Sequence, residues 1–201
     1  SMKSLLVLIL FLLVCCAPAK LKTDQDLPPD LVDSIGLEPE EVVLGFLETD
    51  CGYSIGSNAC DFVLLDVNEE HWKLSDHKGD LILIDLSAVR SGPCQVAGLI
   101  AQETQERYET EGFKYVTILI VDSQDSTVEV DDQLQWANNL SIIDAPVLQG
   151  SRDLLTSSGK AYGFPLQSWP TFILVDRSGT VVWGMRGFNE SVLIQVIEDN
   201  L

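Results

Sequence analysis

The sequence predicts an α/β sandwich built on a mixed β-sheet. Two near-continuous apolar runs, Leu81–Leu86 and Tyr115–Val121, have the pattern of strands buried on both faces, and a helix-length segment separates them. Farther on, two strand-like runs flank the turn Arg177-Ser178-Gly179, which suits an antiparallel pair, and a helical stretch closes the chain. The 201 residues, 46% of them hydrophobic, suffice for one substantial core.

The elements follow in order. Met2-Lys3-Ser4 precedes ten apolar residues, Leu5 to Val14, and then Cys15-Cys16-Ala17-Pro18-Ala19. A positive start, a short apolar run and small residues at its end read as a signal peptide over residues 1–19, too short to span a bilayer. Cleavage after Ala19 fits the Ala-x-Ala pattern, and a lipid anchor at Cys16 is the alternative; Ser1 ahead of Met2 reads as a cloning remnant. The chain is therefore expected to be exported, to a periplasmic or other extracytoplasmic space, free or as a membrane-anchored lipoprotein. Residues 20–50 hold nine acids, two Lys and three Pro, and read as an acidic linker with a short helix over Glu38–Leu47. Residues 51–201 form the expected domain. Its strands are Asp61–Val67, Leu81–Leu86, Tyr115–Val121, Pro146–Leu148, Thr171–Asp176 and Val181–Met185. Its helices are Cys94–Glu111 ending at Gly112, Asp131–Leu140 opened by acids, a turn near Asp153–Tyr162, and Asn189–Asn200 capped by Asn189.

Charge narrows the function. Twelve Lys and Arg against 31 Asp and Glu give a net charge of −19, which excludes a nucleic-acid binder that relies on phosphate contacts. No metal spacing is present, and the acid-rich stretch Asp122–Asp132 lacks the Gly and the regular oxygens of a calcium loop. In an exported chain Cys51 and Cys60, bounding a Gly-containing loop, read first as a structural disulfide; an extra redox pair exchanging electrons with Cys94 is the alternative. That leaves Cys94 as an odd cysteine.

The most informative segment is Asp85-Leu86-Ser87-Ala88-Val89-Arg90-Ser91-Gly92-Pro93-Cys94-Gln95, at a strand end and helix start. It resembles the active-site segment of the thioredoxin-like superfamily, in its exported thiol-disulfide oxidoreductase (redoxin-like) branch, which carries Trp-Cys-Gly-Pro-Cys with an acid six residues before the first Cys. Gly92-Pro93-Cys94 matches outright and Asp85 has the acid's spacing to Ser91. The resemblance extends over roughly Ile55–Leu201: Ile55–Phe62 with Leu74–Gly79 as a lead-in hairpin, Ala145–Leu148 and Ala161–Phe164 as an insert, Ser168-Trp169-Pro170-Thr171-Phe172 as the cis-proline loop, and Val175–Gly179 as a hairpin. It implies a three-layer α/β/α sandwich with a central mixed sheet, no cofactor, and as partners protein thiols or disulfides and a redox partner protein.

The resemblance also assigns roles. Position 91 is that of the attacking sulfur, whose thiolate is stabilised by unpaired backbone N–H groups. Cys94 is the resolving thiol and Asp85 the proton acceptor beside it. Pro170, in a cis peptide, and Trp169 before it would hold a substrate strand. Two positions depart from the family: Ser91 replaces the first Cys, and Arg90 replaces the Trp. Ser91 is an engineered change, a stand-in for selenocysteine, or a natural residue of a one-thiol or non-catalytic relative. Arg90 would depress the pKa of a thiol or selenol at position 91 and touch substrate, or is a solvated surface cation. Neither His71 nor His77 is placed to activate a serine hydroxyl. The resulting expectation is a thiol-disulfide oxidoreductase impaired by Ser91. Two alternatives stand beside it: a peroxiredoxin-like peroxide reductase with Cys94 as the reactive thiol, for which Ser87 stands where a proline is needed, and a non-catalytic module that binds extended chains through Trp169-Pro170.

Overall fold

The computed structural model describes residues 45–46, 51–156 and 163–201. The expected signal peptide, Cys16 and most of the acidic linker lie outside them, as does the end of the turn expected at Asp153–Tyr162. Among the described residues, no helix is long and apolar enough to cross a membrane.

A small antiparallel sheet comes first, made of β1 (Gly45–Phe46), β2 (Phe62–Leu65) and β3 (His71–Lys73). The helix expected over Glu38–Leu47 is corrected at Gly45–Phe46, which pair as strand with Val63 and Phe62. Glycine is a poor helix former, and pairing along β2 satisfies the backbone groups that a helix would otherwise have to satisfy.

The central sheet contains β4 (Leu81–Ala88), β5 (Phe113–Val121), β6 (Val147–Gln149), β7 (Thr171–Val175) and β8 (Val181–Arg186), in the order β6-β5-β4-β7-β8. β4 and β5 are parallel, as are β5 and β6, whereas β7 runs antiparallel to β4 and β8 antiparallel to β7. Helices α1 (Gly92–Gly98), α2 (Ala101–Tyr108), α3 (Val130–Leu140) and α4 (Glu190–Asn200) flank it. This is the mixed, helix-flanked sheet expected from the sequence. All eight residues of β4 are buried. Strand alternation sends Leu81 and Leu83 into a core shared with Cys94, Ala97 and Leu193 of the helices, and Ile82, Ile84 and Leu86 into a second core with Phe62, Leu64 and Phe164.

The turn between β7 and β8 is built by Asp176, whose Oδ1 accepts from the Ser178 and Thr180 N–H groups at 2.9 Å each. From the same turn, the Arg177 guanidinium donates to the carbonyls of Gly79, Glu111, Gly112 and Leu201. Asn189 caps α4 by accepting from the Val192 N–H.

The single helix expected over Cys94–Glu111 is corrected to two: α1 ends at Gly98, Leu99 and Ile100 intervene, and α2 starts at Ala101. The break coincides with a close approach of helices. A β-carbon on Gly98 would lie 2.5 Å from Leu140 Cδ1 and 3.1 Å from the Trp136 ring. Glycines are among the few sites where helices bend sharply. Gly98→Ala is accordingly expected to destabilise the fold by about 1–3 kcal/mol, an overpacking cost that outweighs alanine's better helix propensity. A urea midpoint equal to or above the parent's would contradict the close packing.

Cys51 and Cys60 are joined by a disulfide, with Cα atoms 4.8 Å apart. The loop they close lies along the start of β8, where Gly56 N–H donates to Val181 O and Val181 N–H to Ser57 O. Replacing both cysteines with serine removes a cross-link of short span, and a loss of about 2–3 kcal/mol is expected from chain entropy. Thermal unfolding of the double variant checks this value.

Candidate active site

Strand β4 positions the site. Its register against β5 shifts between Ser87 and Ala88, and the chain then turns tightly, with Ser91 N–H donating to Ala88 O at 3.0 Å. Ser91 thereby becomes the N-cap of α1, and its Oγ accepts from the Cys94 N–H at 3.4 Å. Pro93 fits the first turn because its missing N–H would have no helical partner there. Cys94, one turn in, is fully buried, and its Sγ accepts from the Ala88 N–H at 3.5 Å. It is the free thiol of the described residues.

Asp85 is fully buried beneath this turn. Ser87 Oγ donates to its Oδ1 at 2.7 Å and the Tyr115 hydroxyl to its Oδ2 at 3.2 Å. Burial dominates the electrostatics and raises the Asp85 pKa to about 7 against the pull of these two hydrogen bonds. Burial likewise pushes the Cys94 thiol up; hydrogen bonds from Ser91, Ala88 and Ser87 oppose it, and the Asp85 charge adds to the rise. Tyr115 is raised well above its ordinary value by burial and then by Asp85. The group is thus a buried carboxyl and a buried thiol that disfavour each other's charged forms.

The peptide bond between Trp169 and Pro170 is cis. Pro170 lies one step beyond Thr171, which pairs with Leu86, while Phe172 pairs with Asp85, so the loop sits at the Ser91 end of β4. Pro170 O accepts from Gly187 N–H and Thr171 Oγ1 donates to Ser168 O, both at 2.8 Å. Trp169 is half-buried against both cores. Arg90 is exposed beside Ser91. The structure therefore brings Asp85, Arg90, Ser91, Cys94, Trp169 and Pro170 to one end of the sheet. Cys51 and Cys60 are elsewhere, in the core on the opposite face from Cys94. His71 is exposed on β3, and His77 stacks on Trp72 with ring centroids 4.5 Å apart.

No protein-family model and no curated protein matches the sequence. Solved structures do. A Chlorobium tepidum protein assigned as the thiol:disulfide interchange protein DsbE superposes with a TM-score of 0.60 at 22% identity, covering 74% of this chain and 99% of that one. The thioredoxin domain of a Bacteroides vulgatus thiol-disulfide oxidoreductase gives 0.59 at 17% identity, covering 74% and 99%. The pneumococcal exposed lipoprotein thioredoxin gives 0.53 at 23% identity, covering 69% and 98%. The chain has the thioredoxin-like fold.

The candidates drawn from the sequence leave out two polar neighbours of this site, Tyr115 and Ser87. Tyr115 pairs in the sheet with Leu83, two residues before Asp85, and only the parallel register of β4 and β5 brings its hydroxyl to the carboxylate. Ser87 could have been found, because residues i and i+2 of a strand share a face. Among the described residues of the thioredoxin-like domain, no group of three His, Cys, Asp or Glu could hold a metal ion.

Proposed function

We propose that this chain is an exported thiol-disulfide oxidoreductase whose exchange site is position 91 with Cys94, and that Ser91 holds it inactive. The observation that carries the reading is the buried Cys94 thiol one helical turn from position 91, above a buried carboxyl and at the cis-proline end of the sheet. With Cys or selenocysteine at position 91, the anion there attacks one sulfur of a substrate disulfide. A mixed disulfide forms and the other substrate sulfur leaves as a thiolate. Cys94 then gives its proton to Asp85 and attacks the sulfur or selenium of residue 91, releasing the second substrate thiolate and leaving a bond between 91 and 94. Two electrons have passed to the substrate, and a dithiol partner protein restores the starting state. The thiol:disulfide interchange proteins among the structural neighbours support this reading.

Ser91 lacks the sulfur, and neither histidine hydrogen-bonds to it to serve as an activating base. The peroxide-reductase alternative requires a reactive Cys94, whereas this thiol is buried and its pKa is raised, the opposite of what thiolate chemistry needs. Export is supported by the N-terminal apolar run and by the Cys51–Cys60 disulfide, which belongs to oxidising compartments and is read as structural. Trp169 and Pro170 are the proposed contact for the substrate strand. The test is Ser91→Cys in a disulfide-reduction assay: a folded variant without turnover, still binding extended peptides, would leave only the non-catalytic module.

A further inference from the structure

Beside position 91, on the α3 side, lies a groove of about 390 Å³ whose polar lining comes from Arg90, Gln95, Ser123, Gln135, Trp136 and Asn139. Among the described residues no carboxylate lines it, in a chain whose net charge is −19. Of the five described arginines, Arg107 and Arg152 are ion-paired and Arg177 holds four carbonyls; Arg90 and Arg186 hold no such partner among the described residues. Trp136 is 3% exposed, and its indole Nε1 has no hydrogen-bond partner among the described residues. A buried N–H of this kind is uncommon and costly to leave unpaired. Within the lining, Gln95 donates from its Nε2 to Val89 O at 2.9 Å. The lining thus combines one unpaired cation with amide and hydroxyl donors, above an orphaned buried N–H, and among the described residues it holds no anion. A carboxylate matches that set, since the planar guanidinium of Arg90 presents a fork of N–H donors to its two oxygens.

We propose that this groove receives a carboxylate carried by the substrate close to its reacting sulfur, so that the site prefers acidic disulfides and thiols. The inference rests on the oxidoreductase reading above and adds the substrate class to it. The acidic surface does not oppose it at contact range: charges beyond about 8 Å are largely screened at physiological salt, whereas Arg90 adjoins the reacting position. The carboxylate can come from an acidic residue next to a peptide cysteine or from a small carboxylated disulfide.

The test uses the full chain carrying Ser91→Cys and two matched substrate pairs. The first is a peptide disulfide with Glu beside each Cys against its Gln counterpart, and the second is oxidised glutathione against its ester. A preference of about tenfold in kcat/KM for the carboxylate member of at least one pair is expected. It should shrink with added salt and collapse toward unity on Arg90→Gln. Taking the ratio within a pair cancels any effect of Arg90 on the pKa of the new thiol. The pair that shows the preference identifies the source of the carboxylate. Turnover with equal kcat/KM in both pairs overturns the inference and leaves the oxidoreductase reading standing. No turnover on any substrate overturns that reading instead, and the groove is then judged in the unaltered chain. There, the indole N–H resonance of Trp136, assigned through Trp136→Phe, should move with the Glu peptide and not with the Gln peptide. Absence of that movement overturns the groove assignment.

Discussion

Ser91→Cys is expected to give the chain disulfide-reductase activity, with a gain of at least about 10³-fold over the parent, the scale on which one member of a cooperating catalytic set acts. The geometry is already in place: residue 91 caps α1, the Cys94 N–H points at its side-chain atom at 3.4 Å, and Arg90 adds a neighbouring positive charge. These groups favour a thiolate at position 91, while burial keeps Cys94 protonated until it is needed. Positions 91 and 94 of the variant should therefore display two unlike thiols by alkylation: one reacting near neutral pH, the other slow. Turnover should rise as Asp85 ionises, across about pH 6–8, because only the carboxylate can take the Cys94 proton. Two thiols of equal reactivity, or a rate flat through this range, would remove Asp85 from the proposed role.

Asp85→Asn should change stability in a pH-dependent way, and in the stabilising direction. The carboxyl titrates near 3.8 when exposed and at about 7 in the fold, so the native state holds its proton over a range in which the unfolded chain has lost it. Stability is thus greatest below the unfolded value, falls as pH climbs toward about 7, and levels off above it. Asparagine cannot ionise and keeps an oxygen to accept from Tyr115, so the variant should gain about 1–3 kcal/mol at pH 8 and show little change at pH 4. Urea unfolding at the two pH values provides the comparison, and equal shifts at both would show that the buried charge is not the cause. Combined with Ser91→Cys, the same substitution should slow resolution by about 10–10²-fold and let the mixed disulfide accumulate.

The sequence carried the central sheet because β4 and β5 are unbroken apolar runs and the Arg177-Ser178-Gly179 turn announces an antiparallel pair. It misled where a local pattern met a tertiary constraint. The helical pattern from Cys94 to Glu111 is continuous, yet Gly98 must pass close to Trp136 and Leu140, and only the packing of α1 on α3 reveals that. Gly45–Phe46 lie in the apolar patch Val42–Leu47, where the sequence predicts a short helix, but pair with β2, a choice set by residues farther along the chain. Asp85, Ser91 and Cys94 could be singled out because the motif that carries the family resemblance is local, on one strand and one helix. Tyr115 and Trp136 could not, since each reaches the site through the register of a separate element.

The placement of the sulfurs has a consequence for the isolated protein. Cys51 and Cys60 occupy each other, and Cys94 lies wholly beneath the surface. Among the described residues, then, no sulfhydryl is offered to a neighbouring molecule. These residues give one copy no exposed thiol with which to cross-link to another, and a single hydroxyl-to-sulfur exchange at position 91 would supply one.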